Sequence, residues 1–119
     1  AAESAQDGDN YLLGIFDGAA LIGCLILQKD PDNWLRLRQV AVEPDRQGQG
    51  IGAMMLQSAH HTARDWGYAK MFCHARETAR AFYARHGWTV VGEHFDEHGI
   101  AHCRMEYALN EYVPDKAAG

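Results

Sequence analysis

The sequence predicts an α/β (α+β) domain built on a mixed, mostly antiparallel sheet flanked by two helices. Apolar runs at strand spacing lie before, between and after two stretches that carry helical periodicity, and glycines bound those stretches. With 119 residues, 47% hydrophobic and 23% charged, the chain has the size and composition of a single domain, 1–119. Its core is expected over 11–109, with polar ends at 1–10 and 110–119.

Tyr11–Phe16 and Leu21–Leu27 are apolar runs joined by Asp17-Gly18, which suits a tight hairpin turn. Trp34 to Val42 follows a polar loop. There Leu35 and Leu37 alternate in phase, but Val40 and Val42 are one residue out, so a bulge is expected near Arg38-Gln39. After a glycine-rich turn, apolar or small residues at Ile51, Met55, Ala59 and Ala63, widened by Met54, Leu56 and Trp66, predict a helix stopped by Gly67. Met71-Phe72-Cys73 reads as a buried strand. Thr78 to His86 has Ala79, Phe82, Tyr83 and His86 at helical spacing and ends at Gly87. A hairpin closes the pattern, from Trp88 to Phe95, round Glu97-His98-Gly99, then from Ile100 to Leu109.

A formal charge of -5 gives no global attraction to nucleic acid or to anionic membranes, and neither is expected as a partner. No apolar run reaches membrane-spanning length and residues 1–10 do not read as a signal peptide, so a cytoplasmic protein is expected. Cys24, Cys73 and Cys103 are too widely spaced for a CxxC device and read as reduced core thiols. Cys73 beside His74 and Cys103 beside His102 leave a reactive thiol as the alternative. His94, His98 and His102 are spaced four apart, but Gly99 and the alternation after it predict a hairpin rather than one helical face, so no metal site is expected. His60-His61 reads as a solvated helix edge. The strand edge at Tyr11 predicts self-association as a homodimer.

The turn itself, Arg46-Gln47-Gly48-Gln49-Gly50-Ile51-Gly52, invites a bound anion. Glycines let backbone N–H groups converge at a helix N-terminus, where the helix dipole favours negative charge. Gly48-x-Gly50-x-x-Ala53 fits a dinucleotide fingerprint, but three strands joined without helices precede it, which is not a doubly wound opening. The missing Gly-Lys-Ser/Thr ending excludes a P-loop.

Gln47-x-x-Gly50-x-Gly52, placed between a bulged strand and a long helix, resembles the Q/R-x-x-G-x-G/A motif of the GCN5-related N-acetyltransferases, the GNAT family. The segment Ala79-Arg80-Ala81-Phe82-Tyr83-Ala84-Arg85-His86-Gly87-Trp88 resembles that family's A-x-x-x-Y-x-x-x-G-F/W segment. The stretches His74–Glu77 and Phe95–His102 are similar to the small bacterial ElaA/YjcF-like branch. The resemblance covers about residues 11–109. Family members usually begin with a strand and two helices that this chain lacks, so it is expected to be a fragment or to borrow those elements from another chain.

The resemblance implies acetyl-CoA as donor and a small-molecule or protein amine as acceptor. Pantetheine would pair with the backbone of Val40 and Val42, and the diphosphate would sit on the N–H groups of Gln47, Gly48, Gln49, Gly50, Ile51 and Gly52, with Arg46 as counter-charge and Ala79 in contact. Tyr83 is then the candidate general acid for the leaving thiolate. His74 is the foremost candidate for a second catalytic role, with Glu43, Glu97, His98 and His102 as further candidate bases. A module that holds acyl-CoA without transferring it, or that runs another acyl-CoA reaction, is the alternative.

Overall fold

The computed structural model describes residues 2–109. They form one seven-stranded sheet in the order β1-β2-β3-β4-β5-β7-β6 and two α-helices. The strands are β1 Ala2–Asp7, β2 Asn10–Asp17, β3 Ala20–Asp30, β4 Trp34–Val42, β5 Lys70–Arg76, β6 Thr89–Glu97 and β7 Ile100–Ala108. Helix α1 spans Ile51–Asp65 and α2 spans Arg80–Arg85. Neither helix is long and apolar enough to cross a membrane. The polar end at 110–119 lies outside the described residues.

Local sequence accounts for most of this. Asp17 pairs with Ala20 across the hairpin turn, where Gly18 takes a φ of 62°. Gln39 pairs with Ile26 and Leu37 with Leu27, so Arg38 is the extra, bulged residue where the apolar phase slips. β4 and β5 run parallel, which requires the crossover that α1 supplies. The remaining pairings are antiparallel.

Two expectations about the ends of the sheet need correction. Residues 2–7, expected as part of a polar end, form strand β1, paired with β2 from Ala2↔Ile15 to Asp7↔Asn10. Backbone pairing through the Gly8-Asp9 turn makes this strand without an apolar pattern. The edge at Tyr11, expected to be open to a second copy, is therefore covered by β1. The second helix is also shorter than its periodicity: Glu77–Ala79 forms a 3-10 turn, and α2 proper starts at Arg80.

The core lies on one face of the sheet. Leu13, Leu25, Leu27, Leu35, Leu37, Met71, Cys73, Ala75, Cys103 and Met105 pack there against Met55, Leu56, Ala59 and Ala63 of α1 and against Tyr83 of α2. The register puts Leu12, Cys24, Ile26, Trp34, Arg36, Phe72, His74 and Arg104 on the opposite face. On that face Arg104 stacks over the Phe72 and Trp34 rings at 4.0 and 5.2 Å, so a cationic layer covers the aromatic surface. Met54 and Trp66, expected in the buried stripe of the first helix, are exposed at its edge.

His60 overturns its expected place on a solvated edge: it is 1% exposed, whereas its neighbour His61 faces solvent. Trp88 Nε1 donates to His60 Nε2 at 3.0 Å, and Tyr107 stacks on the ring at 3.9 Å. Burial, with help from Arg64 and His86, lowers the His60 pKa to about 4. The unfolded chain therefore takes up a proton between about pH 6.5 and 4 that the folded chain refuses, and stability falls as pH drops through that window. The expected loss is roughly 3 kcal/mol. Urea unfolding at neutral pH and near pH 4 measures it. In His60→Gln, which keeps an acceptor for Trp88 but does not titrate, that part of the pH dependence should disappear.

Candidate active site

Strands β4 and β5 pair at only three positions, Trp34↔Lys70, Leu35↔Met71 and Arg36↔Phe72, and then separate. Beyond Arg36, the edge of β4 facing β5 has no strand partner, so a cleft opens between Val40–Val42 and His74–Arg76. Two adjoining cavities occupy it, and both are lined by Val40, Val42, Gln47 and Ala79.

The first, of about 610 Å³, is bounded by the glycine turn and the start of α1. Gly48 and Gly50 have φ of 83° and 81°, a left-handed backbone that strains any side chain. No side chain caps α1, so its first N–H groups remain available to an anion. Gln47 Nε2 donates to the Val42 carbonyl at 3.1 Å, tying the turn to the end of β4. A Cβ on Gly52 would lie 3.4 Å from the Phe82 ring, so this glycine lets α2 close against α1. Of the ten residues expected around the donor, Val40, Val42, Arg46, Gln47, Gly48, Gly50, Ile51, Gly52 and Ala79 line this cavity. Gln49 is exposed and does not. The Arg46 guanidinium is held 2.8 Å from Asp17, so its charge is partly spent within the protein. Ala53, Phe82, Arg85 and His86 complete the wall.

The second cavity, of about 560 Å³, brings Tyr83 together with His74, Glu97, His98 and His102. Glu43, another candidate base, is not among its lining residues. Tyr83 comes from α2 on the helical side, whereas His74, Glu97 and His102 belong to the opposite face. Burial, with the neighbouring Cys73, pushes the Tyr83 phenol above its ordinary pKa, so it stays protonated at neutral pH.

His74 Nδ1 lies 3.2 Å from Glu97 Oε1 and 3.2 Å from Arg36 Nη2. Burial alone would raise the Glu97 carboxyl, but the hydrogen bond from His74 and the His74, His102 and Arg36 charges outweigh it and hold the pKa below the usual value. Nδ1 can donate to the Glu97 carboxylate or accept from the Arg36 guanidinium, not both; in the neutral tautomer that serves Glu97 the proton is on Nδ1 and Nε2 is a free base. His102 is tied down differently: its Nδ1–H donates to the Ile100 carbonyl at 2.8 Å, and its ring is buried.

The reactive-thiol alternative fails on the same grounds of burial. Burial and the nearby Cys103 push the Cys73 thiol up to about 12, and burial also raises Cys103, so neither is a nucleophile at neutral pH. His94, His98 and His102 fall on the β6–β7 hairpin rather than on a helix, and His94 meets Glu77.

Comparison with known proteins agrees with this architecture. Residues 1–109 match the family described as acetyltransferase (GNAT) domain. Among curated proteins of Bacillus subtilis (strain 168), the chain is 28% identical over 104 residues to an uncharacterized N-acetyltransferase, YitI, covering 82% of this chain and 70% of YitI. It is also 28% identical over 75 residues to a second, YjcF, covering 62% of this chain and 54% of that protein. A GNAT family acetyltransferase from Elizabethkingia anophelis, solved with acetyl-CoA bound, superposes with a TM-score of 0.73 at 19% identity, covering 86% of this chain and 78% of that one.

The ring nitrogens of His74 provide a direct check on this geometry. At neutral pH, 15N chemical shifts should report the Nδ1–H tautomer. In Glu97→Gln the balance should move toward Nε2–H; an unchanged tautomer would show that Glu97 does not orient the ring.

Proposed function

Because the chain belongs to the acetyltransferase (GNAT) domain family, we propose that it transfers an acetyl group from acetyl-CoA to a primary amine by direct attack on the thioester. The observation that carries this reading is the separation of β4 from β5, which opens one cleft to both faces of the sheet. The pantetheine arm adds to the free edge at Val40 and Val42 as an extra strand would. The diphosphate rests on the uncapped N–H groups of the turn, so a local field holds an anionic cofactor on a protein of negative net charge.

The opposed positions of Tyr83 and His74 then divide the proton transfers. The amine approaches from the open face and its nitrogen bonds to the thioester carbon. His74 Nε2, with Glu97 bonded to Nδ1, takes the amine proton directly or through a water. As the C–S bond breaks, the Tyr83 phenol on the helical side gives its proton to the departing thiolate. Both acetyl and proton balances close without a covalent enzyme intermediate. Three free thiols, two of them buried and unreactive, suit a reducing compartment such as the cytoplasm.

Thiol release from acetyl-CoA in the presence of amines, together with calorimetric titration of CoA, tests this. Tyr83→Phe should lower kcat by about a hundredfold or more with little change in CoA affinity; equal losses in both would reduce Tyr83 to packing. Gly50→Glu, with its left-handed φ and added negative charge, should abolish CoA binding while the far-ultraviolet circular dichroism stays native. Tight CoA binding without release under any amine would favour a binding module over a transferase.

A further inference from the structure

We propose that the acceptor is an amine that also carries an anionic group, a carboxylate or a phosphate, gripped by Arg38 and Arg76 at the mouth of the second cavity. This rests on the acetyl-transfer reading above and narrows it to a substrate class.

The inference comes from the charges that line the cavity. Arg36, Arg38 and Arg76 stand on its wall, and Glu97 is the one carboxylate among the lining residues. That carboxylate is already bonded to His74. Among the described residues, none of the three arginines forms an ion pair, whereas Arg46, Arg80 and Arg104 each have a carboxylate partner. Arg36 is half-buried, its Nη2 is turned to His74, and its Nε has no acceptor. Arg38 and Arg76 are exposed, so their guanidinium groups remain open to a ligand.

Their placement follows from the fold. Arg38 is the bulged residue of β4, where the strand turns from β5, and Arg76 ends β5 on the far side of the opening. The two positions therefore flank the entrance from opposite strands, near the His74–Glu97 pair. An amine in water is an ammonium ion, and a wall with unpaired arginines repels it unless the same molecule brings a counter-charge. A carboxylate or phosphate on the acceptor supplies that charge and accepts the forked guanidinium hydrogen bonds. A diamine or polyamine, with cations at both ends, is the poorest fit.

Matched acceptor pairs test this: β-alanine against propylamine, and phosphoethanolamine against ethanolamine. Two readouts are needed, thiol release from acetyl-CoA and calorimetric binding of the same amines to CoA-saturated protein. The anionic member of each pair should bind about tenfold more tightly or better, as expected of hydrogen bonds to a charged group. Arg38→Gln and Arg76→Gln should erase that preference while CoA affinity stays unchanged. Equal affinity within pairs, no binding of either anionic probe, or loss of CoA affinity in place of acceptor preference would overturn the inference. The binding arm separates it from the reading it rests on. Turnover without a charge preference sinks the inference alone, and a charge preference without turnover sinks acetyl transfer while leaving the anion grip standing.

Discussion

The site depends on the parallel pairing of β4 and β5 ending after three residues. A continuous ladder would satisfy every backbone group between the two strands and leave no room for a ligand. Instead β4 carries an extra residue at Arg38, which bends and twists the strand away from its neighbour. The same bend leaves the backbone at Val40–Val42 facing open space and delivers the chain to the glycine turn. Gln47 reaches back to the Val42 carbonyl and ties the turn to the strand end.

A cleft made this way is open to two faces of the sheet with different physical character. The helical face is apolar and dry, and it supplies a phenol that burial keeps protonated. The opposite face is cationic and half-solvated, and it supplies an imidazole oriented by an ionised carboxylate. In the proposed reaction, the phenol and the imidazole would act from opposite faces of the sheet. Burial keeps the phenol protonated, whereas a hydrogen bond and neighbouring positive charge keep the Glu97 carboxylate ionised against it; burial likewise disables Cys73, the residue before His74, whose thiol is too well buried to ionise.

His60 illustrates how far local pattern can mislead. Its position beside His61 on an otherwise amphipathic helix suits a polar edge, and nothing within the helix says otherwise. The indole of Trp88, twenty-eight residues away, and the ring of Tyr107 convert the site into a closed aromatic cluster with one internal hydrogen bond. Strand β1 misleads in the opposite sense, since a polar hexapeptide becomes a strand because β2 offers it a free edge. In the first case the deciding partner is distant in the chain, in the second it is the backbone of the adjoining strand, and side-chain propensity is silent about both.

What the sequence by itself determined is whatever short-range chemistry dictates. The alternation with its one-residue slip specified a bulged strand, the glycines specified a left-handed turn ahead of a helix, and helical spacing put Tyr83 on the core side of α2. Nine of the ten residues expected around the donor cavity line it, because they belong to contiguous or motif-spaced segments. Only the tertiary structure decided that Glu97, on the last hairpin, would meet His74, and that Arg36, Arg38 and Arg76 would share one wall. Those encounters depend on strand order and register across β4, β5, β7 and β6, and register is set by the summed packing of the core face rather than by any residue on the face where the chemistry sits.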